Sequence, residues 1–406
     1  MQSVAVQIDF SSASLWQGVM MSIVQALKQF LPVSSRSFHA HYRESIDQYQ
    51  AVMKQLDRLY ERIEIADRGI NMNIDYKFED RTLPRIQELK DDLQAHDSHM
   101  KMFAWEQYCQ EGESLFDAKK RFFSTLPPAT GGIRLLQLGC AQLLHEFDAL
   151  CREHGLDYWL AFGTLLGAVR HGGFIPWDDD IDVGMMRDDA EELMSILESD
   201  TSRYRITLVY DRYVHCRQLR FRYADDAVPC FVDIFLYDWA PTQDMDACRL
   251  HREARKNMVE AMESDPDLAF WNDMPYCSSE IVESQAIQEY FDECLSSVTD
   301  AGYICDREHA DGIIWSIDNL DDDKQRWFTY QRSTVFPTTT MKFEGFDLAV
   351  PSDWDNMLKS RYGDYLSLPS DMFTHFEHVD HDSLETSSTS DAIRSILRGV
   401  GDGGAR

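Results

Sequence analysis

Four of the five residues from Asp178 to Asp182 are aspartates. Asp180 and Asp182 alternate with Ile181, and residues two apart on a β-strand point to the same side, about 6–7 Å from each other. Two carboxylates on one face repel each other unless a cation lies between them. Because Mg²⁺ prefers one or two carboxylates together with substrate phosphate oxygens, the pair predicts a divalent metal site.

A third carboxylate, Asp233, lies in the apolar run 230–235, which predicts a neighbouring strand. Three carboxylates would suit two-metal phosphoryl-type transfer, and Asp233 could also accept the proton of an acceptor hydroxyl. A solvated turn or a weak Ca²⁺ loop is the alternative. Trp177, Ile181 and Val183 are poor choices for a solvated acidic loop, and buried acids need compensation. The metal site is therefore favoured.

A strand-to-helix turn precedes the aspartates. An apolar strand is predicted at 158–162 and a helix at 165–169, with Gly163 and Thr164 between them. Glycine lets the backbone approach a phosphate, while the helix N-terminus and the threonine hydroxyl supply donors. Arg170 is predicted to pair either with a donor phosphate or with one of the aspartates.

These segments together resemble the signature of the LicD/fukutin family of nucleotidyltransferase-fold enzymes. The signature is matched by Gly163–Arg170 followed by Gly173–Asp182. Phe231–Phe235 resembles the third-carboxylate strand of the family, and segments of its C-terminal block follow in the same order. The resemblance covers about residues 135–240 and 333–370.

Members of this family transfer phosphocholine, ribitol phosphate or similar groups from a cytidine-diphosphate donor to a glycan hydroxyl. The resemblance implies Mg²⁺- or Mn²⁺-dependent transfer from a CDP-linked alcohol, with phosphocholine, ribitol phosphate or glycerol phosphate as the group transferred. It implies a glycan acceptor of the lipopolysaccharide or teichoic-acid type, as in cell-surface polysaccharide biosynthesis. It implies Asp180, Asp182 and Asp233 as metal ligands and catalytic residues, with Gly163 and Thr164 at the donor phosphates.

Two other functions stay open. A nucleotidylyltransferase would activate a sugar phosphate or alcohol phosphate with a nucleoside triphosphate, and would release pyrophosphate instead of CMP. A coiled-coil scaffold with an inactive transferase domain is the other alternative. The presence of all three expected carboxylates argues against the scaffold.

The order of elements predicts an α/β (α+β) fold, with a nucleotidyltransferase-like mixed sheet and flanking helices. This domain is predicted at 131–380, with a helical insertion at about 242–330. Residues 1–130 form a predicted helical region, where heptad-like spacing over 42–103 indicates a coiled-coil-like hairpin or a homo-oligomer contact. The tail 381–406 is rich in Ser, Thr and Gly, which predicts disorder.

Composition limits the partners. A net charge of −31 argues against binding to nucleic-acid phosphates and to anionic lipid. No apolar run reaches the roughly 18 residues expected of a membrane span, and Leu15–Leu31 predicts an amphipathic helix packed on its own protein. The nine cysteines include no C-x-x-C pair. These features predict a cytoplasmic protein, with peripheral contact at the inner face of the membrane left open.

Overall fold

The structure is a computed structural model, and the chain divides into two compact units, Met1–Ala118 and Lys119–Arg406. It describes residues 47–60, 62, 83–199, 203–241, 245–319, 329–367, 378–384 and 386–399. The helix predicted at Leu15–Leu31 lies outside these ranges. Among the helices described, none is long and apolar enough to cross a membrane.

The first unit is helical where it is described. Residues 47–60 form a helix, and α1 (Leu83–Tyr108) is a helix of 26 residues. Two aromatic residues of the predicted heptad seam, Tyr49 and Tyr60, are exposed. Residues 63–82, which would connect the two helices, lie outside the described ranges. The coiled-coil hairpin, the oligomer contact and the domain limits stay predictions.

The second unit is built on a mixed sheet. Its strands are β1 (Tyr158–Leu160), β2 (Asp182–Met186), β3 (Tyr204–Asp211), β4 (Cys216–Tyr223), β5 (Phe231–Ala240), β6 (Tyr276–Ser278), β7 (Gly312–Trp315), β8 (Thr329–Gln331), β9 (Thr339–Phe343) and β10 (Phe346–Val350). The remaining helices of the chain are α2 (Leu115–Ser124), α3 (Gly131–His154), α4 (Phe162–His171), α5 (Arg187–Ser199), α6 (Met245–Ser264), α7 (Phe270–Asp273), α8 (Ser284–Asp300), α9 (Arg332–Val335), α10 (Trp354–Tyr362), α11 (His381–Leu384) and α12 (Ser387–Gly399), with a short 3-10 helix at Pro266–Leu268.

Within the described residues, the main sheet has the strand order β1-β2-β5-β4-β3-β6, and β7 and β8 continue from the far half of β5. β2 and β5 are parallel, whereas β1 and β4 pair antiparallel with them. This confirms the predicted mixed α/β fold. The central strands are buried on both faces, which explains why they are almost continuously apolar. Gly184 in β2 leaves room for the ring of Trp159, which a Cβ would strike.

The sequence predicted a helical insertion at about 242–330, but the insertion also contains strands. It contains α6 and α8, which enclose a second apolar core with Trp271 and Phe291, but it also adds β6 to the sheet edge and β7 to β5. The run Ile313–Trp315 is apolar and partly β-branched, which favours a strand once a sheet edge is available.

A buried ion network joins this insertion to the sheet. Asp318 is fully buried, and its two oxygens accept hydrogen bonds from Arg187 Nη2 at 2.6 Å and Arg217 Nε at 2.5 Å. Arg187 also binds Asp238 on β5 at 2.6 Å. Two arginines therefore compensate the buried charge of Asp318, while Arg217 reaches outward to the half-exposed Asp292.

The prediction of a disordered tail from residue 381 is wrong for α11 and α12. Leu384 and Ile393 are buried, and α12 packs against α3. Gly139 on α3 permits this approach, since a Cβ there would strike Ile393 and Cys230. The apolar residues of α12 recur at helical spacing, a signal that the Ser and Thr content of this segment obscured.

Candidate active site

A row of three charged residues crosses the sheet on adjacent strands. Asp182, the first residue of β2, is the register partner of Asp233 on β5, which is in turn the partner of Arg220 on β4. The Arg220 guanidinium binds both carboxylate oxygens of Asp233, at 2.8 and 2.9 Å. Its charge also lies over the ring of Phe231, 3.7 Å from the centroid. The structure thus brings Asp182 and Asp233 together and pairs Asp233 with Arg220, for which the sequence had favoured a solvated sheet face.

The turn from β1 into α4 holds Asp182 in place. The backbone N–H of Asp182 donates to Thr164 Oγ1 at 2.8 Å, and its carboxylate accepts from the N–H of Gly163. Phe162, at the start of this turn, has a φ of 39°, an unfavourable value that packing against Phe235 stabilises. Gly163 and Thr164 therefore contact Asp182, and their contact with donor phosphates stays a prediction.

Asp178 and Asp180 complete an acidic cluster with Asp182 and Asp233. The alternation of Asp180 and Asp182 had predicted that both lie on one strand. Strand β2 begins at Asp182, however, so Asp180 lies on the loop before it. Asp178 also belongs here, since a Cβ on Gly163 would lie 2.8 Å from its Oδ2.

The acidic cluster has more negative charge than the neighbouring cationic side chains compensate. Burial raises the pKa of Asp178, Asp180 and Asp182, and the neighbouring carboxylates raise the pKa of Asp178 and Asp182 further. The side-chain interaction between Asp178 and Asp180 raises the pKa of Asp178 and lowers that of Asp180. Such shifts arise where several acids share a site that favours a cation.

His378, far along the chain, contacts the same loop. Its Nδ1 lies 3.0 Å from Asp179 Oδ1, and its Nε2 lies 3.4 Å from Asp180 Oδ2. The backbone N–H of His378 also donates to Asp179 at 3.0 Å. Burial lowers the pKa of His378, but the hydrogen bond to Asp179 and the surrounding carboxylates outweigh it and raise the pKa to about 9. Sequence analysis did not identify this residue, since it stands in no local motif.

Three side chains, which we call the loop clamp (Arg134, Gln137 and Glu344), hold the loop that leads into the acidic cluster. Glu344, at the tip of the β9–β10 hairpin, binds Arg134 through both oxygens, at 2.9 and 2.7 Å, and accepts from the N–H of Phe174 at 3.1 Å. Gln137 donates to the carbonyl of Asp178 at 2.8 Å. The loop is therefore fixed at both its start and its end.

We expect Glu344→Gln to lower kcat by about 10–100-fold with little change in KM, because a misplacement of about 1 Å at reacting groups can reduce the rate about 100-fold. Steady-state kinetics and thermal melting of the purified chain would measure this. Lys342→Gln is the matched control, since it breaks an exposed ion pair of the same hairpin. Equal kinetic losses in both variants would contradict a role for the loop clamp.

Arg170 and Tyr362 lie close to each other, and Tyr362 lies near the acidic cluster. Arg170 is buried with its guanidinium 3.5 Å from the ring centroid of Phe123, and its Nε and Nη2 have no hydrogen-bond partner among the described residues. Two roles were predicted for Arg170, pairing with a donor phosphate or with an aspartate. Among the described residues, Nε and Nη2 do not pair with an aspartate. Burial of the Tyr362 hydroxyl and the charge of Asp182 both raise the pKa of Tyr362.

The donor set fits a divalent metal ion. Carboxylate oxygens are the ligands that Mg²⁺ and Mn²⁺ favour. The ion pair with Arg220 leaves lone pairs on both oxygens of Asp233, since each carboxylate oxygen has about two acceptor sites. Asp180, Asp182 and Asp233 could therefore hold an ion while Arg220 stays in place.

Known proteins are similar to parts of this chain. The family described as LicD/FKTN/FKRP, nucleotidyltransferase domain, matches residues 155–275. The lipopolysaccharide cholinephosphotransferase LicD of Haemophilus influenzae is 28% identical over an alignment of 270 residues that covers 61% of this chain and 96% of that protein. An uncharacterised protein of Rickettsia prowazekii is 40% identical over 82 residues, 20% of this chain and 30% of that protein.

A shorter match reaches a human protein. Human ribitol 5-phosphate transferase FKRP is 57% identical over 35 residues, which are 9% of this chain and 7% of that protein. The matched family domain includes β2 and β5, the two strands that bear Asp182 and Asp233. Residues 155–275 thus contain a domain of the LicD/FKTN/FKRP nucleotidyltransferase type, and the similarity to LicD supports a LicD-like transferase.

Proposed function

We propose that this protein transfers a phospho-alcohol group from a CDP-linked donor to a hydroxyl of a glycan, with Mg²⁺ or Mn²⁺ as cofactor. The observation that supports this best is the acidic cluster, in which buried carboxylates repel one another beside a strand-to-helix turn. The names of two relatives, a lipopolysaccharide cholinephosphotransferase and a ribitol 5-phosphate transferase, favour phosphocholine or a polyol phosphate as the group transferred.

Asp180, Asp182 and Asp233 would hold the metal ion. Bound there, the ion would neutralise charge on the donor phosphates and orient the acceptor hydroxyl. Arg220 would keep Asp233 in a fixed rotamer through its two hydrogen bonds. Arg170, whose Nε and Nη2 are unpaired among the described residues, would bind a phosphate oxygen of the donor.

Calorimetry of the purified chain with CDP-choline, CDP-ribitol and CDP-glycerol would test the donor. We expect one of the three to bind only when Mg²⁺ or Mn²⁺ is present, and CMP to be released once an acceptor glycan is added. Binding that is equally strong in EDTA would contradict the metal requirement. Pyrophosphate release from a nucleoside triphosphate and an alcohol phosphate would favour the nucleotidylyltransferase instead.

A further inference from the structure

The His378 imidazole lies between Asp179 and Asp180, and only Asp180 belongs to the acidic cluster. Asp179 is almost fully buried and accepts hydrogen bonds from His378 Nδ1 and from the backbone N–H groups of His378 and Val379. Asp180, by contrast, belongs to the acidic cluster, and its Oδ2 lies 3.4 Å from His378 Nε2. The imidazole therefore has one nitrogen on a structural carboxylate and the other directed at the candidate metal site.

This arrangement matches the usual environment of a histidine that binds metal. Such a histidine donates one ring N–H to a carboxylate, which fixes its orientation, and its other nitrogen gives up its proton when the ion binds. Ligand atoms of Asp179, Asp180 and His378 all lie within 4.8 Å of one another. The His378 side chain keeps 36% of its surface exposed, so the imidazole is not enclosed in the protein interior.

The segment that bears His378 is anchored beyond it. Val379 and Leu384 are buried, and α12 packs its buried Ile393 against α3. Helix α3 also provides Gln137, which binds the carbonyl of Asp178. One helix thus contacts both the acidic loop and the segment that delivers His378, so the imidazole is positioned by packing as well as by Asp179.

We propose that His378 is a further ligand of the metal ion, through Nε2, and that Asp179 positions its imidazole. The inference rests on the proposed function, since it concerns the same ion that Asp180, Asp182 and Asp233 would hold. It adds a nitrogen donor to a set that sequence analysis described as carboxylates alone. It also explains why Asp179 lies in the acidic run without joining the acidic cluster.

Pulsed electron paramagnetic resonance of Mn²⁺ bound to the full chain would test the ligand directly. We expect ¹⁴N coupling from a bound imidazole in the wild-type protein, and we expect it to vanish in His378→Gln. Mn²⁺ affinity, measured by calorimetry, should fall by about 10–100-fold in this variant, the range seen when groups around a metal are removed. The melting temperature in EDTA would verify that the variant folds.

His309→Gln is the matched control. His309 makes the same Nδ1 contact with a carboxylate, at 2.6 Å from Asp306 Oδ1, but both side chains are exposed. This variant should keep the ¹⁴N coupling and the Mn²⁺ affinity. Saturable Mn²⁺ binding without ¹⁴N coupling, or coupling that persists in His378→Gln, would overturn the role of His378 alone. Absence of saturable Mn²⁺ binding to the wild type would overturn the metal-dependent function and this inference together.

Discussion

Replacing Asp182 with asparagine should reduce transfer by about 10³-fold, equivalent to about 4 kcal/mol in the activation barrier. The same variant should melt at a higher temperature than the wild type when metal is absent. Both effects have one cause, because the carboxylate that would bind the ion is also a buried charge beside other buried charges. An ordinary structural aspartate would show the opposite stability effect on removal.

The stability gain follows from the surroundings of Asp182. Burial and then the charges of Asp180, Asp233 and Asp178 raise the pKa of Asp182. Ionisation of Asp182 at neutral pH therefore destabilises the folded state. Asparagine removes the charge, while its side-chain oxygen can still accept from the N–H of Gly163. The substitution therefore relieves repulsion without leaving that donor unpaired.

Thermal melting in EDTA and in Mn²⁺, together with CMP release, would measure these effects. The wild type should gain stability on adding Mn²⁺, and Asp182→Asn should gain much less. Asp347→Asn is the control, since its side chain forms an exposed pair with Lys342 on the β9–β10 hairpin. A variant that keeps wild-type activity, or that loses stability in EDTA, would contradict the role given to Asp182.

The sequence predicted the parts of the site that lie within continuous motifs. Asp182 and Asp233 stand in apolar strand segments, and their strands are neighbours as expected. Gly163 and Thr164 were predicted between a strand and a helix, and the structure places them in the first turn of α4, which starts at Phe162. In each case, local periodicity and turn chemistry determine the structure, so a single segment contains the necessary information.

The sequence did not specify the partners of Arg220, Glu344 and His378, because these contacts join separate elements of the chain. Arg220 becomes a partner of Asp233 through the β4–β5 register, which no local pattern specifies. Glu344 lies 210 residues from Arg134, and His378 lies 199 residues from Asp179. Their roles depend on how the hairpin and the C-terminal segment pack, and packing of remote elements cannot be derived from periodicity in one sequence.

Asp318→Asn should destabilise the protein by about 3–5 kcal/mol, since removal of one partner leaves buried opposite charges uncompensated. Burial alone would raise the pKa of Asp318, but Arg187 and Arg217 outweigh it and hold the pKa well below its ordinary value. With a folded-state pKa below the unfolded value of about 3.9, the carboxylate stabilises the fold above about pH 4. This contribution is lost as the pH falls further, through the folded-state pKa.

Urea unfolding of Asp318→Asn and wild type between pH 3 and pH 7 would measure the difference, and the gap should be largest at neutral pH and narrow below about pH 4. Asp292→Asn is a matched control, because Asp292 binds the same Arg217 but is 55% exposed. An exposed pair contributes about 0–1 kcal/mol, so this variant should unfold almost like the wild type. Similar losses in both variants would show that Arg217, and not the burial of Asp318 between two arginines, governs how the insertion is joined to the sheet.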